Sequence, residues 1–188
     1  MPRPTSARGR GPPRPPMPNR LPTAMPIVLY RVDERLIHGQ VTVGWGSVLH
    51  PRRYVVVDDE LAESDWEVEL YRLGVPDDAR ADFLSVEEAR DSLDSLRAAP
   101  EDTVLLTRSL EVMARLGRGG GLRDREVNVG GLHSAPGRTR VLAYVHLGPA
   151  DRDAIRELMA GGTQVIARDL PGTARVPGAA LLEEADPR

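Results

Sequence analysis

The sequence predicts an open α/β fold: a mostly parallel sheet with helices on both faces and an antiparallel strand at one edge. Two observations carry this. From Pro26 onward, short continuous Val/Leu/Ile runs alternate with helical patterns, and unbroken apolar runs mark strands covered on both sides. The late strands follow one another without a full helix between them, so one of them pairs antiparallel.

Ile27–Val32 reads as a buried strand and Gly39–Leu49 as a helix rich in small residues. Tyr54–Val57 is a second strand. Asp58, Asp59 and Glu60 after it suit the positive end of a helix running towards Leu73. A third strand fits Ala81–Leu84, and Ser85 with Glu88 makes a capping box for the helix towards Leu96. Thr103–Thr107 is a fourth strand and Ser109–Leu116 a short helix. Glu126–Val129 and Val141–Leu147 are two more strands. Ile155, Leu158 and Met159 mark one face of a helix that stops at Gly161-Gly162. Thr163–Ala167 is the last strand.

The 188 residues suit one domain, residues 25 to 170, flanked by two segments. Residues 1 to 24 hold eight of the 17 prolines and five Arg with no acid, so the reading there is a disordered extension, an over-extended start in an Arg-biased coding sequence. No apolar stretch follows it to make a secretory signal. Residues 171 to 188 read as an irregular tail apart from a short apolar turn at Ala179–Leu182.

Composition excludes several chemistries. All 25 basic residues are Arg, so a Walker-type lysine, a Schiff base and a lysine general base are ruled out. Without Cys there are no disulfides, thiolate nucleophiles or zinc–thiolate sites, which fits a reducing compartment. No run approaches the length of a membrane-spanning helix. The +5 of the first 24 residues leaves −8 for the remainder, and an acidic body argues against nucleic acid as a partner.

Ligands in open parallel sheets bind outside the carboxyl ends of the strands. The first such end is the loop Arg31-Val32-Asp33-Glu34-Arg35-Leu36-Ile37-His38-Gly39-Gln40. His38 lies where this loop enters a helix, beside free N–H groups and the positive dipole end. An imidazole nitrogen there could take a phosphoryl group, with Arg31 and Arg35 offering planar donor forks to its oxygens. Gly39 would let the backbone come close, and Asp33 could hold the other ring nitrogen and fix the tautomer. A lone His near a strand end is more often a hydrogen-bonded polar residue, and loop clusters of Arg and acids are more often solvated ion pairs.

Three stretches tip that balance. The run RVDERLIHGQV, with Trp45 seven residues after His38, resembles the active-site signature of the enzyme IIB component of the mannose/fructose/sorbose phosphotransferase system (PTS). VVVDDELA at Val55–Ala62 and NVGGL at Asn128–Leu132 resemble the same family in order and spacing. The likeness runs from about Met25 to Arg168. It implies a cytoplasmic phosphotransferase acting from protein phosphohistidine to sugar. His38 would receive the phosphoryl group, on Nδ1, from a IIA phosphohistidine and pass it to a sugar entering through membrane IIC and IID proteins. By position, Arg31, Asp33 and Arg35 match the surrounding catalytic loop, and Gly39 and Gln40 its phosphate-binding part. The resemblance demands no metal and no cofactor, and leaves a homodimer open. The stretch Val43-Gly44-Trp45-Gly46-Ser47 departs from the family by being small and largely uncharged, which bears on the partner-docking face. Glu34 stands where Asp is common.

Weaker signals carry plainer readings. Asp59 is a first-turn dipole partner before it is a crevice residue. Gly130-Gly131 with His133 and Ser134 is either a turn or a second lip over the phosphoryl site. His50 and His146 lack metal-ligand spacing and read as structural. Gly117–Gly121 reads as a mobile connection, and Trp45 and Trp66 as packing aromatics. Besides the transport phosphocarrier, two readings stand: a regulatory phosphocarrier of an incomplete PTS, and a non-catalytic α/β binding module.

Overall fold

A computed structural model describes residues 26–183. The extension read over residues 1 to 24 and the last five residues of the tail lie outside the described residues. Strands β1 (Ile27–Val32), β2 (Arg53–Val57), β3 (Arg80–Leu84), β4 (Thr103–Thr107), β5 (Glu126–Val129) and β8 (Gln164–Ala167) are joined parallel. The edge strand β9 (Val176–Pro177) runs antiparallel to β8, giving the order β3-β2-β4-β1-β5-β8-β9. A separate hairpin pairs β6 (Thr139–Leu142) with β7 (Val145–Leu147).

Side chains alternate across each strand, so the sheet buries two clusters. Tyr30 and Val32 of β1 face α4 (Val86–Ala98), α5 (Leu110–Gly117), α6 (Pro149–Ala160) and α7 (Gly178–Leu182), through Leu93, Met113, Ile155 and Leu181. Leu29 faces the opposite layer. That layer holds a π-helical segment Gln40–Trp45 continuing as α1 (Gly46–Leu49), then α2 (Asp59–Ala62) and α3 (Asp65–Arg72). Leu36, Leu61, Leu105 and Leu106 are among the fully buried side chains of these clusters, and truncating any such residue to Ala costs about 2–5 kcal/mol.

Local chemistry explains where the elements start and stop. The capping box at Ser85 and Glu88 forms as read. Asp58 is itself an N-cap, accepting from Leu61 N at 2.9 Å, and α2 ends before Ser64, so the helix read from Asp58 to Leu73 is two helices. The single strand read over Val141–Leu147 is instead a hairpin. Its turn falls at Ala143-Tyr144, without the Gly, Asn or Asp that would have marked it. The tail contributes β9 and α7, so residues 176–182 are regular rather than irregular. Gly117–Gly121 forms a short turn in which Gly119 and Gly120 take φ of +72° and +85°, positions natural to glycine. Met159 is largely turned out of the face marked by Ile155 and Leu158.

The topology also creates a gap. β1 and β5 are neighbours, yet the chain leaves β1 towards β2 and leaves β5 towards β8, in opposite directions along the sheet. Loops leaving adjacent strands in opposite directions part from each other, and a crevice opens between them.

Candidate active site at the β1–β5 crevice

Arg31, the penultimate residue of β1, is fully buried. Its Nε and Nη2 donate to Asp33 Oδ2 at 3.2 and 2.8 Å, and its Nη1 donates to the Arg168 carbonyl at 3.0 Å. Burial pushes the guanidinium pKa down while the Asp33 carboxylate opposes it. Its carbon also lies 5.7 Å from the centre of the Trp45 ring, with Arg168 at 5.7 Å too, both within cation–π range. Trp45 is therefore a core aromatic, fixed by its Nε1 bond to the Asp169 carbonyl at 2.9 Å. A Cβ on Gly130 would fall within 2.6 Å of Arg31 Nε and closer still to Cζ, so only glycine fits over this guanidinium. The sequence reading gave the Arg31 donor fork to phosphate oxygens; in this structure its Nε and Nη2 edge is turned to Asp33.

Asp33, also buried, accepts from the Arg35 backbone N–H at 3.2 Å and turns the loop. Leu36 follows with φ +51°, an unusual conformation for a bulky residue. It seats the Leu36 side chain in the core and presents its carbonyl oxygen to His38 Nδ1 at 3.0 Å. A carbonyl only accepts, so Nδ1 is the donor in this contact. Nε2 lies 3.4 Å from Gln40 Oε1 and 3.8 Å from Asp33 Oδ2. Both ring nitrogens thus face acceptor oxygens, the Leu36 carbonyl on one side and Gln40 and Asp33 on the other. The His38 side chain is 15% exposed, with Arg35 half-exposed beside it and bonded to Gln40 Oε1. The His38 carbonyl receives the Val41 and Thr42 N–H groups, both at 2.9 Å, which anchors the ring at the start of the helix. A Cβ on Gly39 would meet nothing within 4 Å, so close packing does not require glycine there.

The crevice holds a cleft of about 510 Å³ lined by Arg31, Arg35 and Gln40 on one side and by Gly130 to Ser134 on the other. Ala143, Tyr144 and His146 of the hairpin and Asp169 close it. His38 stands beside this cleft, behind Gln40, rather than within its lining. Gly130-Gly131, His133 and Ser134, read as a turn or a second lip, line this cleft. His146 joins the cleft wall, while His50 is a left-handed helix terminus away from it. Asp59 is not part of the crevice: its carboxylate takes the Val86 N–H and Arg115, which hold its pKa below the usual range.

Sequence reasoning missed the network that ties the two lips. Glu34 accepts from the His133 backbone N–H at 2.8 Å, faces His133 Nδ1 at 2.7 Å and bonds Arg138, which also grips Asp151 at 2.9 and 3.2 Å. Burial alone would raise the Glu34 pKa, but the bonds from Arg138 and His133 outweigh it and hold the carboxyl below its usual value. These partners lie about a hundred residues apart, and no local pattern announces them. Asn128, beside Arg31 in register, is buried with neither amide atom hydrogen-bonded.

The family model for the sorbose-subfamily IIB component of the PTS matches residues 27–187. The chain belongs to that family. The N-acetylgalactosamine-specific phosphotransferase enzyme IIB component 1 of Escherichia coli is 30% identical over 158 residues, covering 80% of this chain and 94% of that protein. The IIB domain of the sorbose permease of Klebsiella pneumoniae superposes with a TM-score of 0.76 at 28% identity, covering 86% of this chain and 99% of that one. The mannose-specific EIIAB component of Escherichia coli is 29% identical over 185 residues, covering 98% of this chain and 57% of that longer protein. Members of this family act as PTS phosphotransferase components, and this chain is a IIB component among them. Among the described residues, no helix is long and apolar enough to cross a membrane.

Proposed function

We propose that this IIB component is a cytoplasmic phosphocarrier: His38 accepts a phosphoryl group from a IIA phosphohistidine and passes it to a sugar held by membrane IIC and IID partners. The observation that carries this reading is the seat of His38. The ring stands at the start of the helix, with Nδ1 on the Leu36 carbonyl and Nε2 on the side of Asp33 and Gln40, and Gln40 and Arg35 line the neighbouring cleft.

In the first step the His38 nitrogen attacks phosphorus as the donor's N–P bond breaks, and the donor imidazole leaves with its electron pair. In the second, the sugar hydroxyl forms the O–P bond, the His38 N–P bond breaks, and the hydroxyl proton is released to a neighbouring base or the ring. Little covalent work falls to the protein; positioning and charge stabilisation dominate such transfers. Arg35 supplies the mobile cation, and the backbone N–H groups of Gly39 and Gln40 supply neutral donors at the helix start. Arg31 serves indirectly, as a buried strut that holds Asp33 and so the loop. Transfer on Nδ1 requires the ring to leave the Leu36 carbonyl, and transfer on Nε2 requires it to leave Gln40 Oε1.

The test is to incubate the protein with phosphoenolpyruvate, the general PTS proteins and a sorbose-type IIA, and look for an acid-labile, alkali-stable phosphoryl group. The expected result is labelling that His38→Ala abolishes and that substitution of His50 or His146 leaves intact. Labelling that survives His38→Ala would overturn the assignment.

A further inference from the structure

Six large apolar side chains are exposed among the described residues, and five of them, Val43, Val48, Trp66, Leu70 and Leu73, belong to the helical layer that carries the His38 loop. α3 is apolar on two opposite sides. Val68, Tyr71 and Val75 pack inward against Ile37 and its neighbours. Trp66, Leu70 and Leu73 recur at helical spacing on the outer side, 72%, 60% and 84% exposed. A surface helix normally turns polar residues outward, and contiguous exposed apolar surface marks an interaction site.

The charge around this stripe is equally one-sided. Residues 58 to 78 contain nine acids and one Arg, a net −8 that equals the whole negative excess of residues 25 to 188. Asp58, Asp59, Glu69 and Asp78 are paired with Arg108, Arg115, Arg72 and Arg52. Glu60, Glu63, Asp65, Glu67 and Asp77 form no salt bridge with the described residues. The face also adjoins the site, because Gly74, just after α3, packs on Ile37: a Cβ there would sit 3.5 Å from Ile37 Cγ2.

We propose that this acidic, apolar face of α3 docks the membrane-embedded acceptor through basic cytoplasmic loops, an inference that rests on the phosphocarrier reading above. Cytoplasmic loops of membrane proteins carry an excess of Lys and Arg, the charge this face lacks. The same acidity repels anionic lipid headgroups, so the occupant is the membrane protein and not the bilayer. A partner seated on α3 is brought to the edge of the His38 loop, where transfer must occur.

The experiment uses the full chain and phosphatidylcholine proteoliposomes containing a sorbose-type IIC/IID pair. Wild-type protein should co-sediment, with retention falling as salt rises and with a blue shift of Trp66 emission. Trp66→Ser with Leu70→Ser should cut retention about tenfold or more. Glu63→Arg with Glu67→Arg should do the same and flatten the salt dependence. Both variants should keep the wild-type rate of labelling by IIA. Three results would overturn the proposal: unchanged retention in both variants, slowed labelling with retention intact (a donor surface), or a dimer made monomeric with retention intact (a self-association surface). A wild type that is labelled but not retained would also overturn it. A wild type that is never labelled would overturn the phosphocarrier reading itself, and this proposal with it.

Discussion

Replacing Asp33 with Ala removes the carboxylate that pairs, among the described residues, with the buried Arg31 guanidinium. Arg31 would keep its bond to the Arg168 carbonyl but lose both contacts to Asp33, at 2.8 and 3.2 Å, and the loop would lose the Asp33 bond to Arg35 N. Breaking a buried pair by deleting one partner costs about 3–5 kcal/mol, because the remaining charge is left without compensation. With a urea slope of about 2 kcal/mol per M for a domain of this size, the unfolding midpoint should fall by about 2 M. Removing both charges, with Arg31→Met and Asp33→Leu, should recover most of that loss, since apolar replacements of buried pairs are often neutral or better. Labelling of His38 should nonetheless be slow in the double variant, because no carboxylate then accepts the Arg35 N–H at the turn of the loop. Urea melts followed by far-UV circular dichroism measure the first two effects, and labelling rates measure the third. A midpoint for Asp33→Ala within about 0.3 M of wild type would show that the fully buried guanidinium does not depend on this partner.

Other consequences follow from single features. Gly130→Ala places a methyl group against the Arg31 guanidinium, so it should destabilise the fold by about 1–3 kcal/mol in the same melts and slow labelling as well. His50→Gly replaces a residue with φ +47° at a helix end, so it should stabilise by about 0.5–1 kcal/mol without changing the labelling rate. Arg35→Ala should slow labelling by about 100-fold while leaving stability within about 0.5 kcal/mol, because Arg35 is half-exposed and acts on the transferring charge. Glu34 titrates below its unfolded value near 4.3, so its contribution to stability is complete above that pH and is lost as pH falls through the lower folded value. The stability gap between wild type and Glu34→Gln should therefore narrow as melts are taken from neutral pH to below about pH 4.

Much of the fold was legible because most elements are short and locally specified. β1, β4 and β5 have the bounds their apolar runs suggested, and the α4 capping box is written in Ser85 and Glu88. Legibility failed where tertiary contacts decide. Ala143-Tyr144 turns a chain that carries no turn residues, and β9 exists only because β8 offers it an edge. Within the site, the motif drew attention to Arg31 to Gln40 but could not say which way each side chain turns. Arg31 and Asp33 are spent on each other beneath the loop, and the left-handed Leu36, which no pattern marks, delivers the carbonyl that holds His38. The far lip, with Glu34 reaching His133 and Arg138, depends on the opposite exits of β1 and β5 and so appears only in three dimensions.

Three histidines stand at or beside the crevice, His38 behind Gln40 and His133 and His146 in the cleft wall, so mapping the modified residue tests the account most directly. The protein would be phosphorylated by a sorbose-type IIA, digested at alkaline pH to preserve the N–P bond, and sequenced by tandem mass spectrometry. The account predicts the phosphoryl group on the peptide containing His38 and its loss when sugar and the IIC/IID pair are supplied. A phosphoryl group found on His133 or His146 instead, or one on His38 that no acceptor removes, would contradict it.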